Sequence, residues 1–170
     1  MNLVDLLWLY LGQAQGNADT ARALMTSARA RGFTHARFAA TPYWPIDMNG
    51  STGWKGNPAA FWTAFDQLVA DARARGLRLV PSFFWNLYLF PDSYAESVSR
   101  LFTPGSLTRT RAEQFVTEIV TRYANQPAIA AWELGNEFNL LADLDVAGCN
   151  VCDGGTNACG ALAPSIGTPC

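Results

Sequence analysis

Basic residues other than arginine are almost missing from this 170-residue chain: Lys55 is its only lysine and His35 its only histidine. The net charge is −2 and the arginines are scattered along segments of helical pattern. No basic face of the kind that phosphate backbones require is legible, so nucleic acid is not an expected partner. A single histidine gives no His-rich metal spacing, and no metal or other cofactor is expected. No apolar run comes near the roughly 20 residues that cross a bilayer, so no membrane partner is expected either. The run Leu6–Leu11 follows Asp5 with no Lys or Arg before it, which is not the pattern of a signal peptide. It reads instead as a buried strand end or loop. Cysteine is absent before Cys149, and the four cysteines (Cys149, Cys152, Cys159 and Cys170) crowd the final stretch with Gly, Asn, Asp and Pro. That stretch, 148–170, reads as an irregular loop or tail. Disulfides stapling it in an oxidising compartment fit better than half a zinc knuckle, and three pairings stay open.

What is present describes a globular domain: 49% hydrophobic and 15% charged residues. A first helix is expected from Ala18 to Arg31, capped by Asn17 and stopped by Gly32. A strand follows from Thr34 to Ala40, and then the turn-rich Thr41-Pro42-Tyr43-Trp44-Pro45. The second helix has Asn57 as cap, Pro58 in its first position and a stripe of Phe61, Phe65, Leu68, Val69 and Ala72. Leu77 to Phe84 reads as a second strand, in which Pro81 is a misfit for a central position. A loop from Trp85 to Gly105 leads to a third helix opened by Thr108 or Thr110, and Ala128 to Leu134 reads as a third strand. Ala28-Arg29-Ala30-Arg31-Gly32-Phe33 is echoed by Ala72-Arg73-Ala74-Arg75-Gly76-Leu77, so the helix-strand unit repeats. Alternating helices and short apolar strands predict an α/β fold with a parallel sheet. An open doubly wound sheet and a closed (β/α)₈ barrel compete. No Gly-x-Gly-x-x-Gly or phosphate loop follows a strand, and the aromatic-rich segments follow strand C-termini, where a barrel carries its active site. Both points favour the barrel.

The chemistry-bearing stretch is Ala131-Trp132-Glu133-Leu134-Gly135-Asn136-Glu137. An apolar strand ending in Asn-Glu sets a carboxyl and an amide at the mouth of a parallel sheet. Cleavage of a glycosidic bond needs a carboxyl group that donates a proton to the leaving oxygen, and an amide beside it can hold the sugar 2-hydroxyl. Asn136 and Glu137 capping the next turn is the plainer alternative. Aromatic rings that follow strands offer flat faces to sugar C–H groups. Tyr43, Trp44 and Trp54 follow the first strand; Trp85 and Tyr88 follow the second, with Asn86 as a polar contact. Each of these also fits ordinary packing.

The segment from Arg122 to Glu137 resembles the fourth-strand signature of retaining (β/α)₈-barrel glycoside hydrolases of clan A, nearest to the cellulase- and β-mannanase-like family 5. The resemblance covers Asn2 to about Leu141, with Met1–Asp5 similar to the loop after a first strand. It implies a partial barrel over residues 1–147, about strands two to four, acting on a β-linked glycan. It also implies Glu137 as acid/base, Asn136 as its neighbouring amide, and Arg37, in His35-Ala36-Arg37-Phe38, as the arginine that supports the nucleophile. The parent enzyme is then expected outside the cytoplasm or in the periplasm. A retaining enzyme needs a second carboxyl about 5–5.5 Å away. Glu133 is four residues back along a strand, roughly 13 Å, which is too far; Asp47, Asp92 and Asp143 have no supporting motif. The resemblance implies a nucleophile on the seventh strand, outside this chain, which leaves the chain an inactive fragment. Two other readings are carried: a non-catalytic half-barrel that binds carbohydrate or self-associates, and a barrel lyase or isomerase using Glu137 as base.

Overall fold

The computed structural model describes residues 1–43, 46, 52–136 and 138. Its elements run α1 (Leu6–Tyr10), α2 (Ala18–Ala30), β1 (His35–Ala39), α3 (Pro58–Ala74), β2 (Arg78–Phe84), α4 (Leu89–Asp92), a 3₁₀ turn (Val98–Phe102), α5 (Leu107–Arg122) and β3 (Glu133–Gly135). The strands form a parallel sheet in the order β1-β2-β3. The architecture is thus α/β, with a small open sheet. Among the described residues no helix is long and apolar enough to cross a membrane.

Capping chemistry fixes the helix starts. The Asn17 side chain accepts from the backbone N–H groups of Asp19 and Thr20 while the Thr20 hydroxyl accepts from Asn17 N–H, a reciprocal box. Asn57 accepts from Ala60 N–H, with Pro58 in the first turn where no N–H is needed. The repeated Ala-Arg-Ala-Arg-Gly segment is a repeated C-terminus. Phe33 N–H reaches Ala28 O and Gly32 N–H reaches Arg29 O; Leu77 and Gly76 make the matching bonds to Ala72 and Arg73. Both glycines are left-handed, at φ +86° and +63°, which is the Schellman ending that frees the chain to turn into the next strand.

Three expectations need correcting. The Leu6–Leu11 run is a short helix rather than a strand end, with Leu6, Leu7, Trp8 and Leu9 buried. Parallel pairing of the N-terminus with β1 stops at Val4, whose carbonyl takes Ala39 N–H, and one helical turn then buries four large side chains. The third helix is capped by Ser106, which accepts from Arg109 N–H, ahead of Thr108 and Thr110. The 85–105 loop contains α4 and the 3₁₀ turn, because Leu89, Phe90 and Leu101 need burial.

Pro81 lies inside the central strand, paired in register with Phe38. Towards β3, Leu79 bonds to both Ala128 and Ala130, and regular pairing resumes only at Ser82–Glu133. The strand expected from Ala128 is accordingly a bridge at Ile129 followed by a short β3. A proline without an N–H interrupts that ladder between the two.

The helix side of the sheet is an aromatic core. Phe38 meets Phe65 edge-on, Phe83 stacks on Trp132, and Phe115 contacts Trp54, Phe61, Phe83, Phe84 and Phe90. Helix α3 ties both neighbours down with an aspartate each. Asp71 accepts from Tyr10, Arg22 and Arg75, and Asp66 accepts from Arg122 and Tyr123. Burial pushes the Asp71 carboxyl up, but its three donors outweigh that and hold it below the usual range.

Candidate functional site

Side chains in register on a parallel sheet share a face. Arg37 pairs with Val80, Ala39 with Ser82, and Ser82 with Glu133. These residues therefore lie on one face, opposite the face whose Phe38, Phe83 and Trp132 meet the helix-side core. Arg37 and Glu133 are opposite charges on that face, and they find each other. Arg37 Nε donates to Glu133 Oε2 at 2.5 Å, and its Nη2 donates to Asn136 Oδ1 at 2.9 Å. The guanidinium crosses β2 to do so. The Ser82 hydroxyl on the same face is buried with no hydrogen-bond partner among the described residues. The Arg37 and Glu133 side chains are 22% and 31% exposed, enough desolvation for the pair to matter energetically.

An aromatic row continues from this pair. The Arg37 guanidinium lies over the Trp85 ring, 4.2 Å from its centroid, a cation–π contact that covers one face of the indole. Trp85 leans on Tyr43, and Tyr43 meets Trp8 edge-on. Trp8 is anchored by its Nε1 donating to Ala39 O. Tyr43 is buried, and its hydroxyl has no hydrogen-bond partner among the described residues. The row thus runs from β1 to the segment after β2, around the strand C-termini.

The other expected sugar contacts are dispersed. Trp54 packs on Phe115 and donates from Nε1 to Glu118 on α5, so its ring serves the α3–α5 side. Asn86 accepts from Tyr88 N–H, a local turn that opens α4, and Tyr88 is the residue at which that helix begins. Asn136 sits in a bend just after β3, its N–H directed to Phe84 O. Glu137, Trp44, Asp47, Asp143 and the four cysteines lie outside the described residues. Within the described residues, no group of three or more His, Cys, Asp or Glu could hold a metal ion.

Glu133 is weighed in the sequence reading only as a second carboxyl and set aside, so its pairing with Arg37 was missed. The signal was there: in Trp132-Glu133-Leu134 a lone acid alternates with apolar neighbours, as Arg37 does between Ala36 and Phe38. On period-two strands each charge must face away from the apolar set, which puts Arg37 and Glu133 on the same face once the register is known.

Asp92, on α4, is a second carboxyl with an unusual state. It is half-buried with no ion pair among the described residues, and burial pushes it up to about 6. A raised acid means that the fold favours the neutral form. Its ionisation therefore weakens the fold as pH rises from about 4 to 6, and the penalty is constant above that. Asp92→Asn should stabilise the protein by about 1–2 kcal/mol at pH 7, a figure reduced for partial exposure, and by nothing below about pH 4. Urea unfolding at the two pH values measures this, and an equal gain at both would refute it.

Comparison with curated proteins finds fungal mannan endo-1,4-beta-mannosidases. The chain is 27% identical over 103 residues to the probable mannan endo-1,4-beta-mannosidase A-2 of Aspergillus terreus, covering 57% of this chain and 26% of that protein. It is 32% identical over 78 residues to mannan endo-1,4-beta-mannosidase A of Hypocrea jecorina, and 33% over 78 residues to the probable mannan endo-1,4-beta-mannosidase F of Aspergillus flavus. Those two alignments cover 42% of this chain and 18% and 17% of the relatives. The chain thus spans only about a quarter or less of the curated relatives' length. No family model matches it.

Proposed function

We propose that this chain is the strand-two-to-four portion of a (β/α)₈-barrel glycoside hydrolase of family 5 type that cleaves β-1,4-mannan or a similar β-linked glycan. The observation that carries the reading is the Arg37–Asn136 hydrogen bond. The resemblance singles out those two residues for one active site, and they are 99 positions apart in the sequence. The similarity to mannan-cleaving enzymes is independent support. In this reading Glu137 protonates the glycosidic oxygen and then, as base, activates the water that releases the sugar. Asn136 holds the 2-hydroxyl, Arg37 steadies the nucleophile, and Trp85 and Tyr43 line the cleft. The nucleophile, as the resemblance implies, is a carboxylate on a later strand, and Glu133 is instead paired with Arg37.

The test is direct. The 170-residue chain should bind manno-oligosaccharides weakly, seen as shifts of the Trp85 and Asn136 signals by NMR, and should not turn over mannan or an aryl β-mannoside. Turnover abolished by Glu137→Gln would remove the truncation from the proposal. Absence of binding to both manno- and gluco-configured oligosaccharides would remove the carbohydrate reading itself. The self-associating half-barrel is favoured by one observation, the 60%-exposed Leu134 on the outermost strand. Sedimentation at high concentration distinguishes it, since a half-barrel that completes itself must be at least a dimer.

A further inference from the structure

We infer that Glu133 is a positioning residue, which fixes the Arg37 guanidinium and through it sets the direction of the Asn136 side-chain amide. The inference rests on the proposed sugar-cleaving site and adds a residue to it.

The argument starts from donor inventory. A guanidinium has only N–H donors, so the Asn136 atom that faces Arg37 Nη2 must be the amide oxygen, whichever way an amide is drawn at first. The donor end, Nδ2, is then turned away from Arg37, and a sugar hydroxyl reaching this amide from that side meets an N–H. One bond from a long, flexible arginine would not hold that orientation. Arg37 is kept in place by two further contacts, of different kinds. The Trp85 face at 4.2 Å holds the guanidinium plane but has little preference for rotation within it. The Glu133 carboxylate supplies the in-plane anchor, gripping Nε at 2.5 Å while Nη2 serves Asn136. Glu133 is in turn fixed by backbone pairing, being in register with Ser82 on the central strand. The order of control is strand pairing, then carboxylate, then guanidinium, then amide.

The ¹⁵N and ¹³C spectra of the whole chain test this. Glu133→Gln keeps shape and removes the charge. It should shift the Arg37 Nε–H signal and move the Asn136 side-chain NH₂ pair in the same sense as Arg37→Lys does. Manno-oligosaccharide binding should fall about tenfold, the loss of one charge-assisted contact. Should that variant not fold, Glu133→Asp, which keeps the charge and shortens its reach, decides: it should move the Asn136 NH₂ pair in the same sense. Asn136 signals that stay in place in whichever variant folds overturn the inference. Failure of the unmodified chain to bind any oligosaccharide sinks the sugar reading instead, and the Asn136 signals still answer the question about Glu133.

Discussion

Phe115→Ala is expected to remove about 3–5 kcal/mol of stability, the range for truncating a large aromatic in a packed core. Phe115 is 1% exposed and touches five other rings, drawn from the Trp54 segment, α3, β2 and α4. Its ring is the shared contact through which α5 grips both the sheet and the segment that follows β2. Deleting it leaves a cavity that none of the neighbours can fill by itself, since each is already held by another ring, by backbone pairing or, for Trp54, by its hydrogen bond to Glu118. A domain of this size is stable by only about 5–15 kcal/mol in total, so the variant should be largely unfolded by mild urea. Tryptophan fluorescence reports it directly, because Trp54 lies against the missing ring. Phe102→Ala is the control. At 58% exposed it should change stability by no more than about 0.5 kcal/mol. Equal losses at the two positions would contradict this description of the core.

The contrast between those phenylalanines marks what the sequence makes legible. The helical period picked out Phe61 and Phe65, and the caps at Asn17 and Asn57 were readable because a short polar side chain beside a periodic apolar run has one main use. Ser106 was missed since Thr108 and Thr110 offer the same hydroxyl two and four residues later, and only the tertiary burial of Thr108 decides among them. The α1 helix was missed for a different reason. Leu6–Leu11 is apolar on every side, so it has no period to read, and its burial on all faces is visible only once α2, α3 and β1 surround it. At the site, Arg37 and Asn136 were singled out through resemblance, whereas their contact needed the sheet register. Trp54 and Trp85 look alike in the sequence, each following a strand. One is turned onto α5 and the other onto Arg37, a difference set by Glu118 and Arg37, each far from its tryptophan in the sequence.

The pair at the centre of the site gives the second large effect, and a way to separate structure from function. Arg37→Met alone leaves the Glu133 carboxylate about 70% covered without its cation. Glu133→Met leaves the guanidinium with only Asn136 and the Trp85 face. Each should cost about 2–3 kcal/mol, somewhat below the 3–5 kcal/mol for breaking a fully buried pair. The double variant places two methionines side by side on the sheet face and strands no charge. It should recover at least about 1 kcal/mol relative to the sum of the single losses, a coupling that a double-mutant cycle in urea resolves. Strict additivity would mean that the ion pair is not formed in solution. Oligosaccharide binding should respond differently. With no guanidinium to engage the oxygen of Asn136, the double variant should bind as poorly as Arg37→Met however well it folds. If methionine at both positions restored stability and sugar binding together, the charges would be filler for the sheet, and neither the positioning role of Glu133 nor the place of Arg37 in a glycan-cleaving site would survive.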